Sequence, residues 1–506
     1  MGVIGNMDIR NKKFAKNGFW SVIQQGVAVA CGLILPQFIL SEYGSSINGT
    51  LASITQFISF ITLLQGGVGT IARIAYYKPL AEKNDEDISI AYKTISSFFR
   101  KFSIIFSVYL LLLAIVYPLL FSTGFSFWYI FWLVIVVGLA SISEYFFGQS
   151  SQLLLYSDQK GYIYSIVQII CLIISTILGC ILIKLGFSIH IVKLIYSIVF
   201  AIRPIVLYVY VKKHYKIDYS VNKNNKLLEQ KNSALVRHIA FYIHTSTDVM
   251  VITFFLNALW VSVYSVHRYV INCLSNFLTS ILGNSEVVFG DMFAKGEKEK
   301  LRKNIPIYDL LTKYLSVVIY TTCIILISSF VQIYTKNVND INYYYPIFAT
   351  ILVLGEMIYC MGITYQNVYI SAGHLKKTEW IAVIEALINI LISVFLVRKY
   401  GILGVAIGTL VAMLFKTIAN MYYMQKYVIK LGVVYLLKSN IVSIVSCIVC
   451  CFIFLKFINY LPSNYFQFFS YGLVVFLCIA LITFAFLAIS FKDYLNLIIR
   501  KVWKNG

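Results

Sequence analysis

Residues 362–377 read GITYQNVYISAGHLKK, and an almost uninterrupted apolar run follows them as far as Gly401. Residues 148–161 read GQSSQLLLYSDQKG, and a similar apolar run follows them. A glycine, a glutamine and a serine recur at the same spacing in both blocks, 214 positions apart. Residues 81–101 and 294–314 form a second matched pair. Self-similarity on this scale within hydrophobic sequence predicts a transporter built from two related lobes.

The composition excludes a soluble protein. The chain has 506 residues, of which 59% are hydrophobic and 12% are charged, whereas soluble domains carry about twice that charged fraction. Fourteen apolar segments are long enough to cross a bilayer as helices, and none shows the alternation of a barrel strand. These segments are residues 19–40, 46–72, 102–122, 127–150, 162–183, 189–211, 239–258, 260–288, 312–334, 345–370, 379–397, 401–425, 436–457 and 466–490.

The placement of the positive charges predicts the orientation. The formal net charge is +21. With a cytoplasmic N-terminus, 33 of the 42 lysines and arginines fall in inside segments and five fall in outside loops. The positive-inside rule therefore places both termini in the cytoplasm of a multi-pass protein. No soluble domain collects these cations, so the charge does not indicate a nucleic-acid partner.

The longest hydrophilic stretch, residues 212–237, predicts a cytoplasmic linker between two six-helix lobes. The lobes are expected at residues 1–211 and 238–428, and residues 429–506 add two further spans and a cytoplasmic tail. The matched charge-mixed stretches in the inside segments are expected to be solvated loops. All ten cysteines lie in predicted spans, where they are expected to act as packing residues, so neither a metal nor a cofactor is predicted.

Several phrases between the spans resemble the polysaccharide flippases of the multidrug/oligosaccharidyl-lipid/polysaccharide exporter superfamily. They are SAGHLKKTEWIA at 371–382, EALIN at 385–389, KYGILGVAIGT at 399–409, LSEYG at 40–44 and GGVGTIAR at 66–73. The resemblance covers nearly the whole chain in order, and its motifs consist of glycine, tyrosine and asparagine residues in the segments between helices. It therefore bears on fold and transport class more directly than on the substrate.

The resemblance implies a V-shaped pair of lobes that opens a central cavity alternately to each side. The implied cargo is a polyprenyl-pyrophosphate-linked oligosaccharide, such as an O-antigen or capsule repeat unit, which moves to the outer leaflet of a bacterial plasma membrane. A proton or sodium gradient or the membrane potential would drive it, and polysaccharide polymerases and other assembly proteins would be partners. The chain is then no enzyme, and it contains no nucleotide-binding P-loop pattern.

Arg268 is the sharpest candidate for binding the phosphate groups. It lies about eight residues into a predicted span that the resemblance places beside the cavity, and Asn272 and Ser275 extend a polar stripe along the same helix face. A charge within a membrane costs a few kcal/mol, and the planar guanidinium suits phosphate oxygens. The alternative is an arginine paired with an acid for packing alone.

His244 and Asp248 lie one helical turn apart and are candidates for coupling to an ion gradient. Two alternatives stay open: the residues satisfy each other, or Asp248 is the counter-ion of Arg268.

Arg203 and Lys416 occupy equivalent places in the two copies, 213 positions apart, and are further candidates for contact with the substrate. They either face a cavity or extend to the cytoplasmic interface. Glu144 and Glu356 are expected to be their respective partners within each lobe, and Glu385 has no evident partner.

Gln24, Gln25 and Asn48 on the first two spans are candidates for hydrogen bonding to sugar hydroxyls. Polar residues between membrane helices more often serve to join the helices.

Three alternative functions differ in what they require of the sequence. A multidrug or small-molecule exporter of the same superfamily would often show twelve spans and acidic cavity residues. A membrane-embedded polysaccharide polymerase or ligase would commonly carry a sizeable outside loop, and here the outside loops are the shortest segments. A structural scaffold would explain neither the repeat nor the buried charges. A lipid-linked oligosaccharide flippase is therefore the leading hypothesis.

Overall fold

The computed structural model describes residues 2–61, 68–121, 124–224, 227, 246–282, 285–458 and 460–492. These residues are almost entirely helical, and no strand occurs among them. Eleven of the helices are long and apolar enough to span a membrane, and the first of these is divided by a break. Each of the fourteen predicted spans is helical over most of its described part. The expected all-α polytopic membrane fold is confirmed.

The first repeat begins with a helix broken at Gly44, where φ is 81° and ψ is 174°. Glycine adopts this conformation without the steric cost that a side chain brings. The helices of this half are α1 Gly2–Phe60, α2 Val68–Glu82, α3 Asp85–Leu120, α4 Phe127–Ser143, α5 Gln149–Ser157, α6 Gly161–Lys184 and α7 Ile189–His214. A π-helical turn, Glu144–Gly148, joins α4 to α5.

The second repeat follows the same order, and two helices come after it. The helices are α8 Ser246–Phe255, α9 Ala258–Leu282, α10 Ser285–Ala294, α11 Lys298–Tyr334, α12 Pro346–Met361, α13 Ile363–Ser371, α14 Glu379–Tyr400, α15 Ile402–Tyr423, α16 Val433–Phe452 and α17 Tyr465–Ser490. Helix α12 gives way to α13 at Gly362, the position that Gly148 holds in the first repeat.

The expected solvated loops at 81–101 and 294–314 are confirmed only over residues 83–84 and 295–297, which link α2 to α3 and α10 to α11. The rest of both stretches is helical, because α3 begins at Asp85 and α11 begins at Lys298. Asn84 caps α3 by accepting hydrogen bonds from the backbone amides of Glu86 and Asp87. Acidic residues in the first turn also interact favourably with the helix dipole. The charge-mixed sequence therefore contains a short loop and the first turns of the helix that follows it. Slightly less than half of the predicted linker, residues 225–226 and 228–237, lies outside the described residues, so its bounds stay a prediction.

Residue contacts divide the chain into two compact units. Unit 1 comprises Met1–Tyr242 and Asn257–Ser262, and unit 2 comprises Ile243–Leu256 and Val263–Gly506. The core of unit 1 includes Ile54, Tyr76 and Phe106, all fully buried. In unit 2, α16 and α17 pack on α11 through a separate apolar cluster.

The glycines of the repeat allow close packing inside each unit. A Cβ at Gly148 would lie 2.7 Å from Cβ of Pro204 on α7. A Cβ at Gly362 would lie 2.9 Å from Oγ1 of Thr417 on α15. Both distances are shorter than a carbon side chain tolerates, so the two glycines let α7 and α15 approach the broken helices closely.

Candidate functional site

Arg268 forms a buried ion pair inside unit 2. Its Nη1 lies 2.9 Å from Oε2 of Glu356 on α12, and the two side chains are 12% and 5% exposed. Ser275, two turns along α9, donates a hydrogen bond of 2.7 Å to Oε1 of the same carboxylate. Two of the predicted substrate-binding residues therefore meet at one glutamate. The third, Asn272, lies exposed on the same helix.

Arg203 forms the matching arrangement inside unit 1. Its Nη2 lies 2.7 Å from Oε2 of Glu144, the pairing expected from the sequence, which is confirmed. The guanidinium also donates to Oε1 of Gln168 and lies over the ring of Tyr164. The surroundings thus offset the cost of placing this cation within the membrane.

Lys416 has a different partner from the one expected. Its Nζ lies 3.2 Å from Oε2 of Glu385 on α14, and that glutamate is fully buried. The expected pair with Glu356 was wrong, because Glu356 is engaged by Arg268. The two copies therefore agree in carrying a cation here and differ in the helix that neutralises it.

Asp248 is held by hydroxyl groups. Its Oδ2 accepts hydrogen bonds from Tyr264 at 2.6 Å and from Thr409 at 2.8 Å. Asn389 donates to the same threonine hydroxyl at 3.2 Å. Both Oδ1 of Asp248 and Oδ1 of Asn389 are buried and have no hydrogen-bond partner among the described residues. Because Arg268 pairs with Glu356, Asp248 is not its ion-pair partner in this structure. His244 lies outside the described residues.

Asn48 forms a hydrogen bond with a residue of α9. The geometry identifies no role for Gln24 and Gln25, which lie on α1. Nδ2 of Asn48 donates to Oγ of Ser262 at 2.7 Å. Gln24 and Gln25 are half-buried. The structure therefore gives Asn48 the helix-joining role that polar residues commonly have in membranes.

A buried polar cluster on α11 was not predicted from the sequence, where Lys313 was one of the 33 cations assigned to the inside segments. The lysine and Asp309 are both fully buried, and their ion pair is 2.7 Å long. Nζ of Lys313 also donates to Tyr365 on α13 at 2.8 Å and to Ser439 on α16 at 2.5 Å. Tyr435 donates to Oδ2 of Asp309 at 3.0 Å. The cluster joins three helices of unit 2. The sequence signal was the i, i+4 spacing of Asp309 and Lys313.

The described residues contain no group of three or more histidine, cysteine or acidic residues suited to a metal ion. The Asp248 site differs from such a cluster because its oxygens come from one carboxylate, one amide and two hydroxyl groups. Oxygen ligands of this kind suit a hard cation.

No protein-family model matches the chain, and no curated protein matches it either. Among solved structures, an inward closed conformation of the lipid II flippase MurJ aligns with a TM-score of 0.72 at 17% identity, covering 95% of this chain and 99% of that one.

Multidrug transporters align over a smaller share of this chain. An inward-facing MATE family transporter of the MOP superfamily has a TM-score of 0.58 at 13% identity, covering 78% of this chain and 93% of that one. A mutant of the Vibrio cholerae MATE transporter VcmN has a TM-score of 0.57 at 14% identity, covering 84% of this chain and 98% of that one. The chain therefore has the fold shared by the lipid II flippase MurJ and by MATE transporters of the MOP superfamily.

Proposed function

We propose that this protein is a flippase that moves a polyprenyl-pyrophosphate-linked oligosaccharide from the cytoplasmic to the outer leaflet of a bacterial plasma membrane. The observation that carries the proposal is the extent of the structural alignment. The alignment with the lipid II flippase omits about 5% of this chain, whereas residues 429–506 make up about 15% of it. At least part of the C-terminal segment therefore has a counterpart in that flippase.

The proposal includes the organisation inferred from the sequence. Two six-helix lobes, residues 1–211 and 238–428, alternate between access to each side, and both termini lie in the cytoplasm. The two C-terminal helices pack on α11 of unit 2. Polysaccharide polymerases and other assembly proteins would receive the flipped product.

Arg268, Asn272 and Ser275 are proposed to contact the pyrophosphate. In the structure, the carboxylate of Glu356 accepts hydrogen bonds from both the guanidinium of Arg268 and the hydroxyl of Ser275. A phosphate oxygen offers the same acceptor chemistry as a carboxylate oxygen, so the substrate would compete with Glu356 for these donors. Arg203, Lys416, Gln24, Gln25 and Asn48 remain proposed contacts of the phosphate or the sugars.

Asp248 is proposed to bind the coupling ion, either a proton or a sodium ion. Its Oδ1 and the Oδ1 of Asn389 are two buried acceptors without a hydrogen-bond partner among the described residues, and Thr409 contacts both side chains. A buried acceptor without a partner costs about 1–3 kcal/mol. Binding of a cation at these oxygens would remove that cost, and the role of His244 stays a prediction.

Export of drugs or other small molecules is the second candidate, and the alignment with the MATE transporters supports it. Deletion of the gene in the host and analysis of the lipid-linked intermediates would separate the two. A flippase deletion accumulates the complete oligosaccharide-lipid on the cytoplasmic leaflet, and the wild-type gene reverses this. Loss of assembly before that stage, or unchanged intermediates with greater drug sensitivity, would contradict the proposal.

A further inference from the structure

Lys193 on α7 differs in its surroundings from the four cations described above on long apolar helices, because it has no acidic partner in the part of the chain that the structure describes. Arg203, Arg268, Lys313 and Lys416 each lie within 3.2 Å of a carboxylate oxygen. Lys193 forms no ion pair or hydrogen bond with another described residue, and its Nζ lies 5.4 Å from the centroid of the Tyr196 ring. A charge on a membrane helix without a partner is costly. The position therefore calls for a counter-ion that the described residues do not supply.

The lysine lines a cavity of about 400 Å³ inside unit 1. Ligand pockets have volumes of about 300–1,000 Å³, so the space is large enough for a small organic molecule. Helices α1, α4, α6 and α7 supply most of the walls, and apolar side chains dominate them, among them Leu35, Ile39, Val137 and Leu172. A hydrated inorganic ion would leave these walls in contact with water.

Four residues with hydroxyl groups line the same cavity as the lysine. Thr55 and Ser197 donate hydrogen bonds to backbone carbonyl oxygens. The other two are Tyr196, one turn along α7, and Thr176 on α6. Like Lys193, neither forms a hydrogen bond with another described residue. A cation and two hydroxyl donors without partners, set in apolar walls, are the complement of one anionic group attached to an apolar body.

We propose that the cavity is a binding site for an amphipathic organic anion, whose anionic group binds Lys193 and whose short apolar portion fills the space between α1, α4 and α6. The phosphate end of an isoprenoid lipid and the carboxylate of a fatty acid share this chemistry. The site lies within one unit and does not depend on the proposed flippase activity.

Calorimetric titration of the full-length protein in a neutral detergent tests the site. The probes are geranyl phosphate and decanoate as the two anions, geraniol as a neutral body and inorganic phosphate as a headgroup alone. We expect at least one anionic amphiphile to bind at least about tenfold more tightly than geraniol and than inorganic phosphate. This is the gain expected from one charge-assisted hydrogen bond. Tighter binding of geranyl phosphate than of decanoate assigns the site to isoprenoid phosphates, and the reverse order assigns it to fatty acids.

Three variants separate the charge from the fold. Lys193→Met should weaken binding of the anion at least about tenfold and leave thermal stability unchanged or higher, because the native lysine has no partner to lose. Lys193→Arg should retain binding, and Tyr196→Phe should weaken it a few-fold. As a control, Lys184→Met removes an exposed cation from the last turn of α6 and should bind as the wild type does. The proposal is overturned when neither anion binds more tightly than geraniol, or when Lys193→Met binds them as tightly as the wild type.

Discussion

The side-chain amide of Asn48 donates a hydrogen bond of 2.7 Å to the hydroxyl of Ser262, and the two residues are separated by 214 positions, the spacing of the sequence repeat. The two residues thus lie about one repeat length apart in the sequence and contact each other inside unit 1. The neighbouring backbones are closer still, because a Cβ at Gly49 would lie 1.7 Å from the carbonyl oxygen of Ala258. The backbone of α1 therefore contacts the start of α9 directly, and the lack of a side chain at Gly49 permits this close approach.

Replacement of Gly49 by alanine should destabilise the protein. The added methyl group would collide with backbone atoms of α9, which cannot turn away as a side chain does, and overpacking of this kind costs about 1–3 kcal/mol or more. Thermal unfolding in detergent measures the change. Gly26→Ala is the matched control on the same helix, where no atom lies within 4 Å of the added Cβ, and it should be neutral or stabilising. Equal stability of the two variants would contradict the close approach.

Substitution of Glu356 by glutamine should destabilise unit 2 by about 3–5 kcal/mol, because it leaves the buried guanidinium of Arg268 without its counter-charge. The double variant Arg268→Met/Glu356→Met should recover most of that loss, since both charges are removed. Thermal unfolding measures both effects. The exposed pair Lys295–Asp291 is the control, and its double removal should change stability by less than about 1 kcal/mol.

The same double variant should be folded but inactive in reconstituted flipping if Arg268 binds the pyrophosphate. Retained flipping would instead assign the Arg268–Glu356 pair to packing alone.

Lys313→Met should be among the most damaging substitutions on α11, with a loss of about 3–5 kcal/mol, because Asp309 would remain buried without its cation. Ser439→Ala removes two hydrogen bonds between α16 and α11, one from Lys313 and one to Asp309, and should cost about 1–3 kcal/mol. Limited proteolysis should then cleave more readily near α16.

Lys303→Met, at an exposed position of α11, is the control and should change neither the stability nor the proteolysis pattern. An equal effect at Lys303 would rule out the cluster as the cause.

Sodium ions should raise the unfolding temperature of the wild type at constant ionic strength if Asp248 binds this ion, whereas choline should not. A ligand present at about 100 times its Kd stabilises the folded state by about 2.7 kcal/mol. Asp248→Asn and Asn389→Ala should both abolish the response, and Asp291→Asn, at an exposed site, should retain it. Dependence of transport on pH alone, lost in Asp248→Asn, would assign the site to a proton. A wild-type response preserved in Asp248→Asn would refute the proposed site.

The sequence was sufficient for the membrane helices and for one of the buried ion pairs. Long apolar runs determine helices in lipid, because the backbone has no other way to satisfy its hydrogen bonds. Arg203 and Glu144 could be paired from the sequence because both are isolated charges on spans of the same lobe.

The partners of Arg268 and Lys416 could not be predicted in the same way. Glu356 and Glu385 lie on adjacent spans of the same lobe, and linear spacing does not say which face of each helix meets which neighbour. Lys313 was misplaced because charge-mixed sequence resembles a loop when the helix continues past the apolar run. The cavity at Lys193 leaves no sequence signal, since its walls come from residues far apart in the chain.

The pairing of buried charges has a consequence for the response of this protein to voltage. Moving one elementary charge across the membrane potential is worth about 2.3 kcal/mol per 100 mV. An arginine and a glutamate that move together carry no net charge, so displacement of Arg203 with Glu144, or of Arg268 with Glu356, does no electrical work. Among the buried and cavity-lining charges described above, Lys193 and Asp248 are the two that form no ion pair with another described residue. A voltage-dependent step of transport would therefore draw its electrical work from these two side chains and from the cargo and ions that they bind.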